Sequence, residues 1–315
     1  MPNYPISIGH PDLSANSKYI PTLYAKKLLI EFYKASVFSD IANTDYEGQI
    51  KEQGDKVEIR MLPDITINTH TKGQALTYEN PESSTVTLLI DKGKYWAISI
   101  DPVDKKQSDI EFVNQWAVHA SETLRTEIDG DVLQNIYSDV SSSNSGATAG
   151  VESSSFNLGT TDAVVGLTYS NILNYIVDCG TVLDEQNVPD TGRWLVLPPW
   201  ACGLIKKGDL KDASLAGDAT SIMRNGLIGM IDRFKIYKSN NLATASDTSD
   251  GSTAVTATKI LFGHPSALTF ASQMVMSETL KNPSAFGDLL RALQVYGYKV
   301  VKPEAIGCLS AYNNS

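Results

Sequence analysis

The sequence predicts an α+β protein in which an extended pair of strands, one long helix and a second group of short helices and strands follow one another along the chain. Apolar and polar residues alternate between residues 48 and 100, which indicates strands. From about residue 105 to 140, apolar residues recur every three or four positions, which indicates a helix. Beyond residue 165 the two patterns alternate over shorter stretches, and 315 residues suffice for one large or two modest domains.

The composition excludes some functions. The net charge is −10, so the chain lacks the clustered lysines and arginines with which a protein grips nucleic acid phosphates. A container for DNA is compatible with this charge, because a mildly acidic inner wall allows DNA to slide. Hydrophobic residues at 42% and charged residues at 20% are typical of a soluble globular protein.

The cysteines and the N-terminus bear on the cellular compartment. Cys179, Cys202 and Cys308 are odd in number and far apart, so we expect buried free thiols rather than disulfides or a metal site. The first 20 residues lack the basic start and apolar stretch of a signal peptide, and no later apolar run reaches the ~20 residues of a membrane helix. We therefore expect a protein of a reducing compartment, without contact to a membrane.

The first residues are predicted to form an arm. Residues 1–20 contain three prolines and no apolar periodicity, so they have no core of their own and are expected to lie across another surface. Apolar spacing between residues 20 and 41 predicts a short helix followed by an extended piece.

A long hairpin is predicted between residues 48 and 100. Its alternating apolar residues predict four strand segments. They are Val57, Ile59 and Met61; Ile65 and Ile67; Val86, Leu88 and Ile90; and Trp96, Ile98 and Ile100. Residues 68–84 are polar and form the predicted tip. A hairpin with so few core residues is marginal alone, so we expect its packing partner on another subunit.

The strongest helical signal runs from about residue 105 to 140, or roughly nine or ten turns. We expect Glu127, Asp129 and Asp131 on its solvated face. Residues 141–162 are rich in serine, glycine and threonine and predict a flexible connection.

Shorter elements are predicted downstream. They comprise a helix at 168–186 capped by Thr168, a buried strand at 193–197, a helix at 200–210, strands at 234–237 and 260–262 separated by a polar loop at 243–258, and a final strand at 288–301.

The sequence contains no recognisable catalytic, cofactor or metal site. The four histidines lie outside metal-ligand spacing, and phosphate-binding, dinucleotide-binding and nucleophile motifs are absent. Carboxylate pairs such as Asp101 with Asp104, or Glu127 with Asp131, are more often surface charge than an acid/base pair. We assign no catalytic, cofactor-binding or metal-binding residue.

The order of these elements resembles the Hong Kong 97-type fold of tailed-bacteriophage major capsid proteins. The resemblance is carried by GDKVEIRMLPDITINTH and TLLIDKGKYWAISIDPVD around the hairpin, by WLVLPPWACGLIKKGDL, and by GLIGMIDRFKIYKSNNL. It covers residues 20–306, and its specificity comes from the order and spacing of motifs that are individually loose.

The resemblance implies a division into four parts. These are an N-terminal arm and short helix (1–47), an extended loop (48–100), a peripheral domain with a spine helix (101–164 and 288–315) and an axial domain (165–287). It further implies pentamers and hexamers that close into an icosahedral shell around double-stranded DNA. The implied partners are further copies of the chain, portal and scaffolding proteins, a decoration protein, and DNA through non-specific contact only.

Within the implied extended loop, the charged residues Arg60, Lys72 and Glu79 are candidates for ion pairs between subunits. The implied location is the virion, with assembly in the host cytoplasm.

Three alternatives remain open at this point. An encapsulin-like compartment shares the subunit architecture but encloses protein, and the N-terminal arm favours the phage interpretation. A soluble hydrolase using a carboxylate pair, or a carbohydrate-binding module, would not explain a long helix that follows a marginal hairpin. Shell size, decoration, host, crosslinking and the scaffolding route are not encoded in recognisable motifs.

Overall fold

The computed structural model describes residues 36–45, 56–63, 65–101, 112–208, 229–249, 253–283 and 286–314. The predicted arm, most of the helix predicted at 20–41 and the predicted first turns of the long helix lie outside these ranges. The described helices are α1 (Phe38–Ile41), α2 (Phe112–Asn135), α3 (Ile172–Glu185) and α4 (Pro199–Lys207). The described strands are β1 (Lys56–Arg60), β2 (Thr85–Leu89), β3 (Lys92–Ile100), β4 (Val165–Leu167), β5 (Trp194–Leu197), β6 (Met230–Ile231), β7 (Phe234–Lys238), β8 (Thr244–Thr248), β9 (Ala254–Gly263), β10 (Leu268–Lys281), β11 (Asp288–Val300) and β12 (Ile306–Asn313).

Two antiparallel sheets are built around the predicted hairpin. Strands β1 and β2 pair with each other, which confirms the alternation around Val57 and Leu88. Strand β3 instead joins a three-stranded sheet of order β10-β11-β3, and the predicted final strand, β11, is its centre. In β3, Lys92, Lys94, Trp96 and Ile98 are half-buried, while the residues between them are exposed.

The larger sheet has seven strands in the order β4-β12-β9-β5-β7-β6, with β8 also paired to β9. β5 is buried at all four positions because it lies between β7 and β9 with both faces covered. β12 pairs with β4 and β9 in this sheet, although the sequence expectation groups residues 288–315 with the long helix. A buried ion pair joins three strands, since Lys259 Nζ is 2.6 Å from Asp247 and 3.1 Å from the Ser310 hydroxyl.

The helix α2 confirms the predicted long helix over its described residues. Its second half is buried at Ile128, Val132 and Leu133 in the main hydrophobic core. Its first half is more exposed, including Trp116 and Val118. No described helix combines the length and the apolar character that crossing a membrane requires.

Arg193, fully buried at the start of β5, joins α3 to the loop after it. Its guanidinium donates to the carbonyls of Val188, Pro189 and Gly180, and NH2 lies 2.7 Å from Asp184. Arg233 contacts the other oxygen of the same carboxylate at 2.8 Å.

Part of the connection predicted as flexible at 141–162 is packed around the buried residues Asn144, Ala149 and Leu158, while residues 151–155 are exposed. Asn144 is fully buried and donates to the carbonyls of Glu304 and Ile306 at 2.6 and 2.9 Å, while Gln186 donates to its side-chain oxygen. The polar side chain of Asn144 thus forms hydrogen bonds with buried backbone carbonyls and does not face solvent.

Two other predictions require correction. The polar loop predicted at 243–258 is a hairpin, because β8 pairs with β9 from Thr244↔Thr258 onward and its exposed positions are polar. The helix predicted from Thr168 begins at Ile172. The preceding turn is held by Asn171, whose side chain accepts from the Thr168 amide and donates to the Gly166 carbonyl.

The three cysteines are buried and free, as predicted. Burial raises the pKa of the Cys308 thiol to about 11, against the opposing charge of Lys259. Burial also raises the pKa of Cys179 well above its ordinary value, so these thiols are unreactive.

Candidate assembly surfaces

Beyond β1 and β2, three hydrogen bonds join the two limbs of the extended loop at positions that keep the register of the strands. Beyond the last strand pair, Arg60↔Thr85, the Met61 amide donates to the Ser84 carbonyl at 2.9 Å. Further out, the Thr66 amide donates to the side chain of Glu79 at 3.2 Å. Each step along one limb is matched by one step back along the other, so the loop is a single hairpin.

The tip of this hairpin is a two-residue turn. The Gln74 amide donates to the Thr71 carbonyl at 3.0 Å, which places Lys72 and Gly73 at the two central positions. Gly73 has a φ of +89°, a left-handed conformation that glycine adopts without steric cost. The turn therefore keeps the register that begins at β1.

At its base, one face of the hairpin is buried against the chain's own body. Ile59, Leu88 and Ile90 form a small core with Ala271 and Val301. Because side chains alternate between the two faces of a strand, the odd-numbered residues of the first limb share this face with the even-numbered residues of the second.

Beyond the base, the apolar side chains of the loop are exposed. Counted in the register of β1 and β2, Ile65, Ile67, Leu76 and Tyr78 occupy positions equivalent to those of the buried face. These four side chains, here called the distal stripe, are 68, 91, 64 and 86% exposed. The strand predicted at Ile65 and Ile67 was wrong: these residues are exposed and belong to no strand, because no paired backbone lies beside them within the described residues.

The three predicted inter-subunit residues are not brought together. Arg60 and Glu79 lie on the opposite, polar face of the hairpin, about 20 Å apart at ~3.4 Å per residue. Glu79 accepts the Thr66 hydrogen bond within its own loop. Lys72 is in the turn at the tip, the point farthest from the base.

The hairpin base crosses closely over β11. Any side chain at Gly297 would overlap the backbone of Leu89 and Ile90, so only glycine permits this approach. The crossing fixes where the hairpin leaves the three-stranded sheet.

A polar cluster ties α2 to the two strands beneath it. The Asp131 carboxylate is 3.0 Å from Lys92 Nζ on β3 and accepts from the Tyr296 hydroxyl on β11 at 2.9 Å. Lys92 also lies over the Tyr298 ring, 4.4 Å from its centroid. Burial lowers the pKa of Lys92, but its hydrogen bonds with Tyr298 and Asp131 outweigh that effect, and the pKa is raised. The ammonium therefore stays charged and holds β3 to the helix.

Asp129 joins α2 to two other segments. Its carboxylate is fully buried and accepts from the backbone amides of Val37 and Phe38 at 2.7 and 2.9 Å, at the N-terminus of α1. It also accepts from the Asn241 side chain at 2.5 Å. The expectation that Asp129 and Asp131 are solvated was wrong. Asp129 lies three residues before the buried Val132, and that spacing could have indicated the inward face.

A groove of about 380 Å³ lies between β3 and the first half of α2. Its described lining is mainly aromatic and apolar with a charged rim: Lys94, Tyr95, Trp96, Ile98, Trp116, His119, Ala120, Thr123, Leu124 and Glu127. Sequence analysis missed this groove because it depends on how far the helix stands off the strand. The strand and helix patterns were recognised separately, but the space between them was not.

Comparison with known proteins agrees with this architecture. The model of the family described as "Phage capsid protein" matches residues 82–309, which is most of the chain. The chain belongs to that family. No curated protein matches it significantly.

Solved structures have a similar fold. A structure from Mycobacterium phage Che8 has a TM-score of 0.74 at 25% identity, over 93% of this chain and 97% of that one. The capsid of Cyanophage P-SCSP1u has a TM-score of 0.70 at 17% identity, over 94% of each chain. The mature capsid of bacteriophage PhiM1 has a TM-score of 0.68 at 16% identity, over 94% of this chain and 93% of that one.

The fold is thus the Hong Kong 97-type capsid fold, and the chain is a major capsid protein. As such it is a structural protein of the virion that associates with copies of itself.

Proposed function

We propose that this chain assembles through pentamers and hexamers into an icosahedral shell that encloses double-stranded phage DNA. The observation that carries the proposal is the distal stripe, four large apolar side chains on a hairpin whose base is already packed on its own body. An exposed apolar face of this kind marks a protein interface. In a closed symmetric assembly, every copy of that face can be covered by an identical neighbour.

In this proposal the chain has the four predicted parts: arm (1–47), extended loop (48–100), peripheral domain (101–164 and 288–315) and axial domain (165–287). The pairing of β12 with β4 and β9 argues for counting residues 306–313 with the axial sheet. In this proposal the axial domains meet at the centres of the pentamers and hexamers.

The proposed role is structural and not catalytic. Membership of a capsid protein family supports this view. Contact with packaged DNA is proposed to be non-specific, since the net charge of −10 disfavours strong phosphate binding. Portal, scaffolding and decoration proteins are the proposed partners, and assembly is proposed to occur in the host cytoplasm before the virion forms.

Arg60, Lys72 and Glu79 are proposed to form ion pairs between subunits. Lys72 has the best position, because a residue at the hairpin tip reaches a neighbour first. Exposed pairs contribute only ~0.2–1 kcal/mol each, but a shell repeats every contact many times. Lys72→Glu should therefore slow or weaken assembly more at low than at high ionic strength, and Lys56→Glu, at the base of the same hairpin, is the matched control.

Particle formation tests the proposed function. The expressed chain, alone or with the scaffolding protein of its phage, should yield closed shells in electron micrographs and a megadalton species in analytical ultracentrifugation. Virions should contain this chain as their main shell protein around DNA. Shells that contain protein cargo and no DNA in infected cells would contradict the proposal, and so would a chain that remains a small oligomer under all these conditions.

A further inference from the structure

We propose that His264 is a pH-sensitive cap at the junction between the three-stranded and the seven-stranded sheet. The neutral ring holds one of the two connections that join these sheets, and protonation of the ring releases that connection. This inference concerns the folded subunit itself, so it goes beyond the proposed function and does not depend on it.

Two short connections carry the chain between the sheets. Residues 264–267 lead from β9 to β10, and residues 301–305 lead from β11 to β12. The connections are hydrogen-bonded to each other, since the His264 amide donates to the Ala305 carbonyl at 3.0 Å. The attachment of one sheet to the other therefore depends on the conformation of both connections.

The side chain of His264 caps a 3₁₀ turn within the first connection. Pro265 has no amide hydrogen, so the Ser266 amide is the first donor that this turn presents. This amide donates to His264 Nδ1 at 3.2 Å, and the Ser266 hydroxyl lies 2.8 Å from the same nitrogen. The turn places the Ala267 carbonyl where it accepts from the Val301 amide at 2.7 Å. The imidazole thus fixes a turn on which a further hydrogen bond between the connections depends.

This cap requires a neutral imidazole. A ring nitrogen that accepts a hydrogen bond carries no proton, so the ring hydrogen of the capping state is on Nε2. The ring also forms a hydrogen bond with the backbone of Thr191. Nε2 is on that side of the ring, because a Cβ at the next residue, Gly192, would lie 3.7 Å from it. Both ring nitrogens of His264 therefore have partners, one in the turn and one before β5.

Protonation of Nδ1 removes the cap. Both nitrogens of an imidazolium ion are donors, so the Ser266 amide loses its acceptor and faces a second N–H group. The Ser266 hydroxyl can turn and accept from the ring, whereas the backbone amide cannot. The other connection keeps a separate attachment, because Asn144 donates to the carbonyls of Glu304 and Ile306. Acid should therefore loosen residues 264–267 in particular.

The surroundings of the ring keep it neutral at neutral pH. Burial lowers the pKa of His264, and the hydrogen bond with Thr191 opposes this effect only in part. The positive charges of Arg193 and Lys302 lower the pKa further, while Glu304, on the same connection as Lys302, is exposed. The cap is therefore complete above the unfolded-state pKa of ~6.5 and is lost as the pH falls towards the lower folded-state pKa.

Hydrogen–deuterium exchange of unassembled full-length subunits tests the proposal. After correction for the intrinsic effect of pH, the amides of residues 264–268 should exchange faster at pH 5 than at pH 7.5. An open state whose histidine has a pKa of ~6.5 is favoured at pH 5 by at most about thirtyfold over a folded state that excludes the proton. We therefore expect exchange to rise by roughly three- to thirtyfold.

His264→Asn separates capping from titration. The asparagine side-chain oxygen can accept from the Ser266 amide at either pH, so exchange should stay within about twofold between pH 7.5 and pH 5. His264→Ala has no acceptor and should already exchange fast at pH 7.5. His70→Asn, at an exposed position of the extended loop, is the control and should keep the full wild-type response.

Two results would overturn the proposal. One is an exchange response that is absent in the wild type, and the other is a response that persists unchanged in His264→Asn. Ring titration by NMR gives a second measurement on the folded wild type, in which the signal that His264→Asn removes should titrate with a midpoint below ~6.5. A midpoint at or above that value would also overturn the proposal. None of these results depends on whether shells form, so they leave the proposed function to its own test.

Discussion

The buried carboxylate of Asp129 allows a quantitative prediction about stability. In Asp129→Ala, the amides of Val37 and Phe38 and the side chain of Asn241 lose their acceptor. Each buried donor left unsatisfied costs ~1–3 kcal/mol. Because relaxation and water entry recover part of this loss, we expect ~3–6 kcal/mol in total, a large share of a typical stability of ~5–15 kcal/mol.

The isosteric variant should be milder. Both backbone amides donate to the same oxygen, Oδ1, so an asparagine at position 129 can retain those two hydrogen bonds. Its amide nitrogen would face that of Asn241, a conflict that rotation of the Asn241 amide relieves. We therefore expect Asp129→Asn to cost only ~1–2 kcal/mol.

The assay is urea unfolding of unassembled subunits, followed by circular dichroism. Glu122→Ala on the exposed surface of the same helix is the control and should stay within ~0.5 kcal/mol of wild type. Limited proteolysis should also cleave near residues 36–45 faster in Asp129→Ala, because α1 loses its attachment to α2. If Asp129→Ala behaves like Glu122→Ala, Asp129 does not join these segments as described.

Three further predictions concern buried and crowded positions. Asp247→Asn leaves the Lys259 ammonium buried without a counter-charge, so it should lower the free energy of unfolding in urea by ~3–5 kcal/mol. The double variant Asp247→Leu, Lys259→Met should recover most of that loss. An equal loss in both variants would contradict the role given to this ion pair. Gly297→Ala places a methyl group against the Leu89 carbonyl, so it should displace the hairpin base and lower both the melting temperature and the shell yield. Gly203→Ala, in open space within α4, should lower neither, because alanine favours the helix. Burial raises the pKa of Asp184, but hydrogen bonds from Arg233 and Arg193 outweigh burial and lower this pKa below its ordinary value. The ionised Asp184 therefore stabilises the fold fully above the unfolded-state pKa of ~3.9. This stabilisation is lost as the pH falls towards the lower folded-state pKa. Unfolding curves of wild type and Asp184→Asn should thus differ at pH 7 and converge in acid, and a constant difference would refute the linkage.

Periodicity predicted the elements whose burial pattern is regular. The long helix was recognised because Ile128, Val132 and Ile136 recur at helical spacing, and all three are buried. Strand β5 was recognised because a short apolar run is stopped by two prolines. In these elements the local pattern and the tertiary environment agree, so the sequence sufficed.

Periodicity did not predict the positions of the buried or paired polar residues. A buried carboxylate such as Asp129 and a surface one look alike in sequence, because what distinguishes them is a set of donors about 90 and 110 residues away. Strand β8 was predicted as a loop, since its residues Thr244–Thr248 are polar and its pairing with β9 is made by backbone groups. Asn144 was assigned to a flexible linker for the same reason.

The hairpin shows a different limit of prediction from sequence. The sequence predicted that residues 48–100 lack a sufficient core, but the base proved to have a small one, formed with β10 and the residue after β11. Among its described residues, the stretch from 65 to 85 is exposed throughout. The apolar positions of the hairpin followed from alternation, whereas the groove beside β3 depends on how α2 packs on that strand.

The most direct test of this account is a structure of the assembled particle by electron cryomicroscopy, with attention to Ile67 and Tyr78. If the chain builds its shell as described, both side chains will be buried against another copy. A closed shell in which they face solvent, or fold back onto their own subunit, would contradict the account.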